Sequence, residues 1–313
     1  MHFDLAHKRV FVAGSGGMVG SAIVRRLNRE NCEILEASRY QLNLLDQQAT
    51  KEWMAANKPD AVILAAAKVG GILANDTYPA DFLYQNIVIA SNVIEASYRA
   101  GVRRLLNLGS SCIYPKMAEQ PIVEQALLTG PLEATNEYYA IAKIAGLKMA
   151  EAYRRQYGCD YISAMPTNLY GPGDNYDLDS SHVLPALIRK AHEAKQSAAK
   201  NMTIWGSGAP RREFLHANDC ADACVFLLQH YSGDLHINVG SGEDISIREL
   251  ADIVCDVVGY EGTIELDLSK PDGTPRKLMS GARLAALGWK PAIQFRQGIT
   301  SAYSDFLEKY TRS

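Results

Sequence analysis

The sequence predicts an α/β protein: a doubly wound parallel sheet with a smaller mixed α/β domain attached. Three observations carry that reading. Short apolar runs alternate with helix-period segments over the first half of the chain, a glycine-rich turn follows the first run, and the alternation loosens beyond Thr167. The runs read as strands over 9–13, 33–37, 60–67, 104–108 and 161–166, and the segments between them as helices over 19–29, 47–56, 81–100 and 137–157. Strands separated by helices of ten or more residues connect through right-handed crossovers, which gives a parallel sheet covered on both faces. Pro115, Pro121 and Pro131 mark a long loop before the 137–157 helix.

Beyond Thr167 the pattern predicts helices over 183–198, 218–230, 247–257 and 299–309, with strands over 202–205 and 236–239. Because 214–240 reads as able to return to the main sheet, the expected domains interleave. Residues 1–168 with about 213–245 form one, and 169–212 with 246–313 the other.

Composition excludes several classes. A chain of 313 residues with 47% hydrophobic and 21% charged content is ordinary globular protein, and a net charge of −3 offers no basic face for a nucleic-acid backbone. Apolar stretches such as 61–67 are too short to cross a bilayer, and no charged-then-apolar leader opens the chain, so a cytoplasmic protein is expected. The six cysteines (Cys32, Cys112, Cys159, Cys220, Cys224 and Cys255) show neither a CxxC pair nor metal-ligand spacing, and no metal is expected.

Gly14, Gly17 and Gly20 fall at a GxxGxxG spacing between a predicted strand and a predicted helix that begins with Met18 and Val19. That arrangement suits a Rossmann-type dinucleotide site: a tight turn, a backbone that approaches the pyrophosphate, and an anion on the helix N-terminus. The second strand is followed by Glu36-Ala37-Ser38-Arg39, with a cation where a ribose 2′-phosphate would sit, so NADP(H) is expected over NAD.

Ser110, Tyr139 and Lys143 are the expected reducing trio. With 16 tyrosines in the chain, a Tyr-x-x-x-Lys spacing arises by chance, and context supplies the weight. The two residues share one helical face, and Ser110 follows a strand at its C-terminal end, where doubly wound sheets bind ligands. Reduction of a carbonyl needs a proton donor at its oxygen. A lysine ammonium beside a phenol is expected to draw the phenol's pKa toward the working range.

Several blocks carry a resemblance: Ala65-Ala66-Ala67-Lys68-Val69-Gly70-Gly71-Ile72, Gly109-Ser110-Ser111-Cys112-Ile113-Tyr114-Pro115-Lys116, Pro166-Thr167-Asn168-Leu169-Tyr170-Gly171-Pro172, Trp205-Gly206-Ser207-Gly208 and the run from Lys270 to Lys277. With them the chain resembles, nearly end to end, the extended short-chain dehydrogenase/reductases. Within that family it is similar to the epimerase–reductases that turn GDP-4-keto-6-deoxy-mannose into GDP-L-fucose. The resemblance implies a GDP-sugar substrate, with Cys112 as the base and His182 as the acid of 3,5-epimerisation, and Tyr139 protonating the C4 oxygen during reduction. A C4 ketone acidifies the hydrogens on C3 and C5, so one pocket serves both reactions.

The resemblance also implies Lys190, Trp205, Arg212 and Asp272 at the nucleotide and sugar end. It adds Asp46, Leu108 to Ser111, Pro166 to Leu169 and His182 on the cofactor side. Some relatives carry a basic residue near Ser15 and Gly16; its absence here leaves more of the 2′-phosphate to Arg39. A homodimer pairing helices 81–100 and 137–157 is expected. The alternative reading is a related GDP-sugar enzyme of a colitose or heptose pathway. A 4,6-dehydratase fits less well, because it needs a carboxylate where Ser111 and Cys112 stand. A cofactor sensor without turnover has little reason to keep the trio together.

Overall fold

The computed structural model describes residues 2–270 and 272–310. Its first half runs β1 (Arg9–Ala13), α1 (Met18–Leu27), β2 (Glu33–Leu35), α2 (Gln47–Asn57), β3 (Ala61–Leu64), α3 (Ile72–Thr77), α4 (Pro79–Arg99), β4 (Arg104–Leu108), α5 (Glu137–Tyr157), β5 (Asp160–Pro166) and β6 (Asn168–Tyr170). The second half continues with α6 (Val183–Gln196), β7 (Asn201–Trp205), β8 (Arg211–His216), α7 (Ala217–His230), β9 (Ile237–Val239), β10 (Asp244–Ser246), α8 (Ile247–Val258), β11 (Thr263–Asp267), β12 (Arg276–Lys277), α9 (Ala282–Ala286) and α10 (Phe295–Tyr310).

The main sheet is parallel, in the order β2-β1-β3-β4-β5-β9. Its central strands are apolar along their whole length because both faces are covered. Alternate residues serve alternate faces: Val10 and Val12 pack with α1 and α7 on one side, Phe11 and Ala13 with α2, α4 and α5 on the other. Each such buried Val, Leu or Phe contributes about 1.5–3 kcal/mol. The α4–α5 contact is close because Gly146 faces Ala90, where a Cβ would lie only 3.2 Å from the Ala90 Cβ. β1 lies between β2 and β3, so the chain reverses its direction of sheet growth there. Such a switch point opens a crevice at the carboxyl ends of β1 and β3.

A second core lies behind α6, α8 and α10, where Leu187, Ile188, Leu250, Val254, Ile299 and Phe306 are buried. Over it β10, β8 and β12 form a short sheet with β6 alongside β8, and β11 pairs β7. Among the described residues no helix is long and apolar enough to cross a membrane.

The predicted elements of the first half are present, several with the predicted bounds and others with shifted ends. The 33–37 strand stops at Leu35 and the 60–67 strand at Leu64. At the second, Ala65 keeps one bond, its N–H to Ala13 O at 2.9 Å, before the chain leaves the sheet to pass the glycine turn.

Candidate active site

The glycine turn packs against the exit of β3. Gly14 has φ +90°, and a Cβ there would lie 2.7 Å from Ala66 Cα; one on Gly20 would lie 1.9 Å from Gly14 O. Those two positions are glycine because backbone occupies the space. Gly17 differs. Its φ and ψ of −83° and 169° suit any residue, and a Cβ would meet nothing nearer than Gly14 O at 3.6 Å. The protein alone does not require glycine at position 17, whereas a pyrophosphate lying across it would. Gly17 also caps α1 without a side chain, which leaves the first-turn amides of Met18, Val19 and Gly20 for an anion. The turn therefore fits a dinucleotide.

Beyond β2, Arg39 is exposed, and among the described residues no carboxylate pairs with it. Asp46 is committed locally: its Oδ1 accepts from Ala49 N at 3.0 Å and caps α2.

At the end of β4, Gly109 lets the strand pass Met165, whose Sδ would be 2.1 Å from a Cβ there. Ser110 then caps a single 3-10 turn, Ser111–Ile113, its Oγ accepting from Cys112 N at 3.2 Å. The hydroxyl and the thiol thus belong to one turn. On α5, Lys143 Nζ donates to Leu108 O at 2.9 Å and stands 5.8 Å from the Tyr139 ring centroid. Phe82 meets Tyr139 edge-on at 6.2 Å.

The expected depression of the tyrosine pKa is not found. Burial pushes the Tyr139 phenol well up, the nearby Cys112 adds to this, and a hydrogen bond with Ser110 opposes it. Burial also lowers Lys143 to about 8, against an opposing contribution from Cys112. Desolvation is the largest contribution at both groups, and the Lys143 ammonium is hydrogen-bonded to the Leu108 carbonyl. The phenol therefore stays protonated at neutral pH, the form that donates.

Cys112 lies within electrostatic reach of Tyr139, Lys143 and Arg212, and Asn136 Nδ2 donates to its Sγ at 3.5 Å. His182 stands at the N-cap position of α6 but makes no capping bond, so its side chain is not spent on the helix. Its side chain is exposed to solvent. Desolvation by the protein around it lowers its pKa.

On the far side of the cleft Lys190 Nζ donates to Thr203 O at 3.2 Å and lies 5.3 Å from the Trp205 ring centroid. Lys270, which the sequence reading did not single out as a site residue, lies 5.3 Å from the same ring. Asp272 accepts from Ser207 N and Oγ at 2.7 and 2.8 Å, and so builds the turn beside Trp205. The half-buried Arg212 neighbours Glu133, Cys112 and Asp272.

Pro166 ends β5 and Leu169 lies in β6. Between them Thr167 Oγ1 and Asn168 Nδ2 both donate to Glu213 O, at 3.2 and 2.8 Å. Glu213 itself went unnoticed in the sequence. Its fully buried carboxylate accepts from Gly242 N and Met279 N and ties three segments together. Two surface hollows, of about 470 and 550 Å³, lie elsewhere, beside His192 and beside Arg154.

Residues 10–240 match the NAD dependent epimerase/dehydratase family. The chain belongs to that family. It is 62% identical over 300 residues to a GDP-L-fucose synthase of Sinorhizobium fredii, an alignment covering 96% of each chain. A GDP-6-OMe-4-keto-L-xylo-heptose reductase of Campylobacter jejuni superposes with a TM-score of 0.93 at 33% identity, covering 99% of this chain and 100% of that one. A GDP-L-fucose synthetase of Naegleria fowleri, solved with NADP bound, superposes with a TM-score of 0.91 at 28% identity, covering 100% of this chain and 98% of that one.

Proposed function

We propose that the protein converts GDP-4-keto-6-deoxy-D-mannose to GDP-L-fucose in two steps: inversion at C3 and C5, then NADPH-dependent reduction at C4. The observation that carries this reading is the single turn that holds Ser110 Oγ and the Cys112 backbone in one hydrogen bond. A ketone-binding hydroxyl and a thiol are there presented to the same ring. The 62% relative, a fucose enzyme, stands far nearer than the 33% heptose enzyme and favours the fucose-forming reaction over the heptose alternative.

In the first step the Cys112 thiolate takes a proton from the carbon beside the ketone, leaving the electron pair in an enolate. His182 as imidazolium returns a proton to the opposite face, and both groups recover through solvent. In the second step bound NADPH supplies the hydride for C4. Tyr139 donates its proton to the O4 alkoxide while Ser110 hydrogen-bonds that oxygen. Lys143 supports the phenolate left behind.

Gly14, Gly17 and Gly20, the Met18 and Val19 amides, Arg39, and residues 108–111 and 166–169 would hold the cofactor, with Asp46 toward the adenine and His182 reaching it from the sugar side. Lys190, Trp205, Arg212 and Asp272 would hold the GDP-sugar. Residues 1–168 with about 213–245 then form the cofactor half, and 169–212 with 246–313 the sugar half.

A homodimer belongs to the same proposal, since α4 and α5 leave Tyr84, Tyr138 and Ile141 exposed. So does a cytoplasmic setting, which suits six free thiols. NMR of the product after mixing enzyme, NADPH and GDP-4-keto-6-deoxy-mannose tests the reading. GDP-L-fucose is expected; a reduced sugar that keeps the manno configuration at C3 and C5 would overturn it.

A further inference from the structure

The two groups assigned to inversion come from different parts of the fold, and the short helix α3 with the residues before it lies between them. Gly71 N–H donates to Ser180 O at 2.9 Å, and a Cβ on Gly71 would lie 2.3 Å from Ser181 O. The backbone at Gly71, φ −66° and ψ −178°, is one any residue adopts. Only the closeness of Ser181, the residue before His182, excludes a side chain there.

Asn75 is buried and donates to both Gly70 O and Gly71 O, at 2.7 and 2.9 Å, which fixes the turn. On the other partner, Asp177 Oδ1 gathers Ser180 N and Oγ at 3.0 and 2.8 Å. Beyond Ser180 the side-chain bonds stop. Ser181 Oγ is buried without a partner among the described residues, and His182 makes no capping bond. Backbone bonds from Ser181 N to Asp177 O at 2.8 Å and from Ala186 N to His182 O at 3.1 Å hold this stretch in its own loop and helix, and the seat at Gly71 sets where that stretch stands against α3.

The same helix packs against the turn Ala134–Asn136, whose Asn136 donates to Cys112 Sγ at 3.5 Å while its Oδ1 is buried without a partner among the described residues. An amide N–H on sulfur favours the thiolate and fixes its direction.

We propose that the segment from Gly70 through Thr77 is a positioning element for inversion. Gly71 seats His182 through Ser180 and Ser181, and Asn136, packed on the same helix, aims the Cys112 thiolate. This rests on the assignment of Cys112 and His182 given above. A displaced acid leaves the base working, so protons leave C3 and C5 and return to the same face.

The test follows deuterium entry and inversion by NMR in D₂O, with GDP-4-keto-6-deoxy-mannose and the full chain. For Gly71→Ala, inversion is expected to fall about a hundredfold, the scale of an ångström-sized misplacement, while deuterium still enters C3 and C5 and C4 reduction persists. For Asn136→Ala, deuterium entry and inversion are expected to fall together. Asn75→Ala removes atoms where Gly71→Ala adds them, and should reproduce the split in weaker form. Gly281→Ala, where a Cβ meets nothing within 4 Å, serves as the neutral control.

Inversion and deuterium entry in their normal ratio in both Gly71→Ala and Asn75→Ala would overturn the proposal. So would loss of reduction and exchange together. Cys112→Ser and His182→Gln run alongside: if they invert normally, the assignment of base and acid fails, which is a separate result.

Discussion

Under the proposed assignment, the reducing trio and the inverting pair are held in different ways. Ser110 follows a strand of the main sheet and Tyr139 and Lys143 lie on the helix packed against it, with Lys143 bonded back to Leu108, the last residue of the strand that delivers Ser110. Cys112 comes from that same turn, yet His182 comes from the start of α6 on the other core. Reduction needs one proton donor at one oxygen. Inversion needs two groups on opposite faces of a ring, which a single turn of chain cannot present. The first half-site is therefore built locally, and the second depends on a contact between distant segments.

If the halves are separable in this way, Tyr139→Phe should cost reduction about a thousandfold while inversion continues, so that the epimerised 4-keto sugar accumulates. Loss of both activities in that variant would break the comparison. The two halves should also differ in pH dependence. Lys143, lowered to about 8, carries its charge below that pH and loses it above, so reduction should fall about tenfold per unit well above pH 8. His182, lowered from its ordinary range, loses its proton earlier. The inversion limb governed by the acid should therefore lie at lower pH than the reduction limb, and stopped-flow NADPH oxidation set beside deuterium exchange checks their order.

Cofactor affinity gives a finer cut. Gly17→Ala adds a methyl group that meets no protein atom closer than 3.6 Å, so Tm should hold while the NADPH Kd rises on the order of tenfold. Inversion measured without cofactor should be untouched. The smallest effect is expected for Arg39→Ala: about a fivefold weaker Kd for NADPH with little change for NADH, read by titration. Equal losses for both cofactors would remove Arg39 from the 2′-phosphate.

Much of the fold is legible in the sequence because periodicity reports burial. The 104–108 strand and the 137–157 helix have the bounds that their patterns predict, since both lie against a continuous apolar layer. β8 was not legible. Arg211-Arg212-Glu213 carries three charges in a row and no strand period, yet Glu213 is buried because backbone amides from Gly242 and Met279 replace its water. α3 has six residues and too few turns to show a period. Asn136 precedes Tyr139 by one helical turn, but its contact with Cys112 joins residues far apart in sequence, and no local pattern encodes that.

The sequence by itself determined the parallel sheet, the glycine turn and the one-turn spacing of Tyr139 and Lys143, because those follow from continuous apolar runs, the 3.6-residue period and glycine's missing side chain. Tertiary structure decided the burial of Tyr139 and Lys143 and the contact of Asn136 with Cys112. Burial raises the phenol and lowers the ammonium in opposition to the pairing that the spacing suggests. The close approach of Ser181, the residue before His182, to Gly71 joins segments far apart in sequence, and such a contact exists only once the chain has folded.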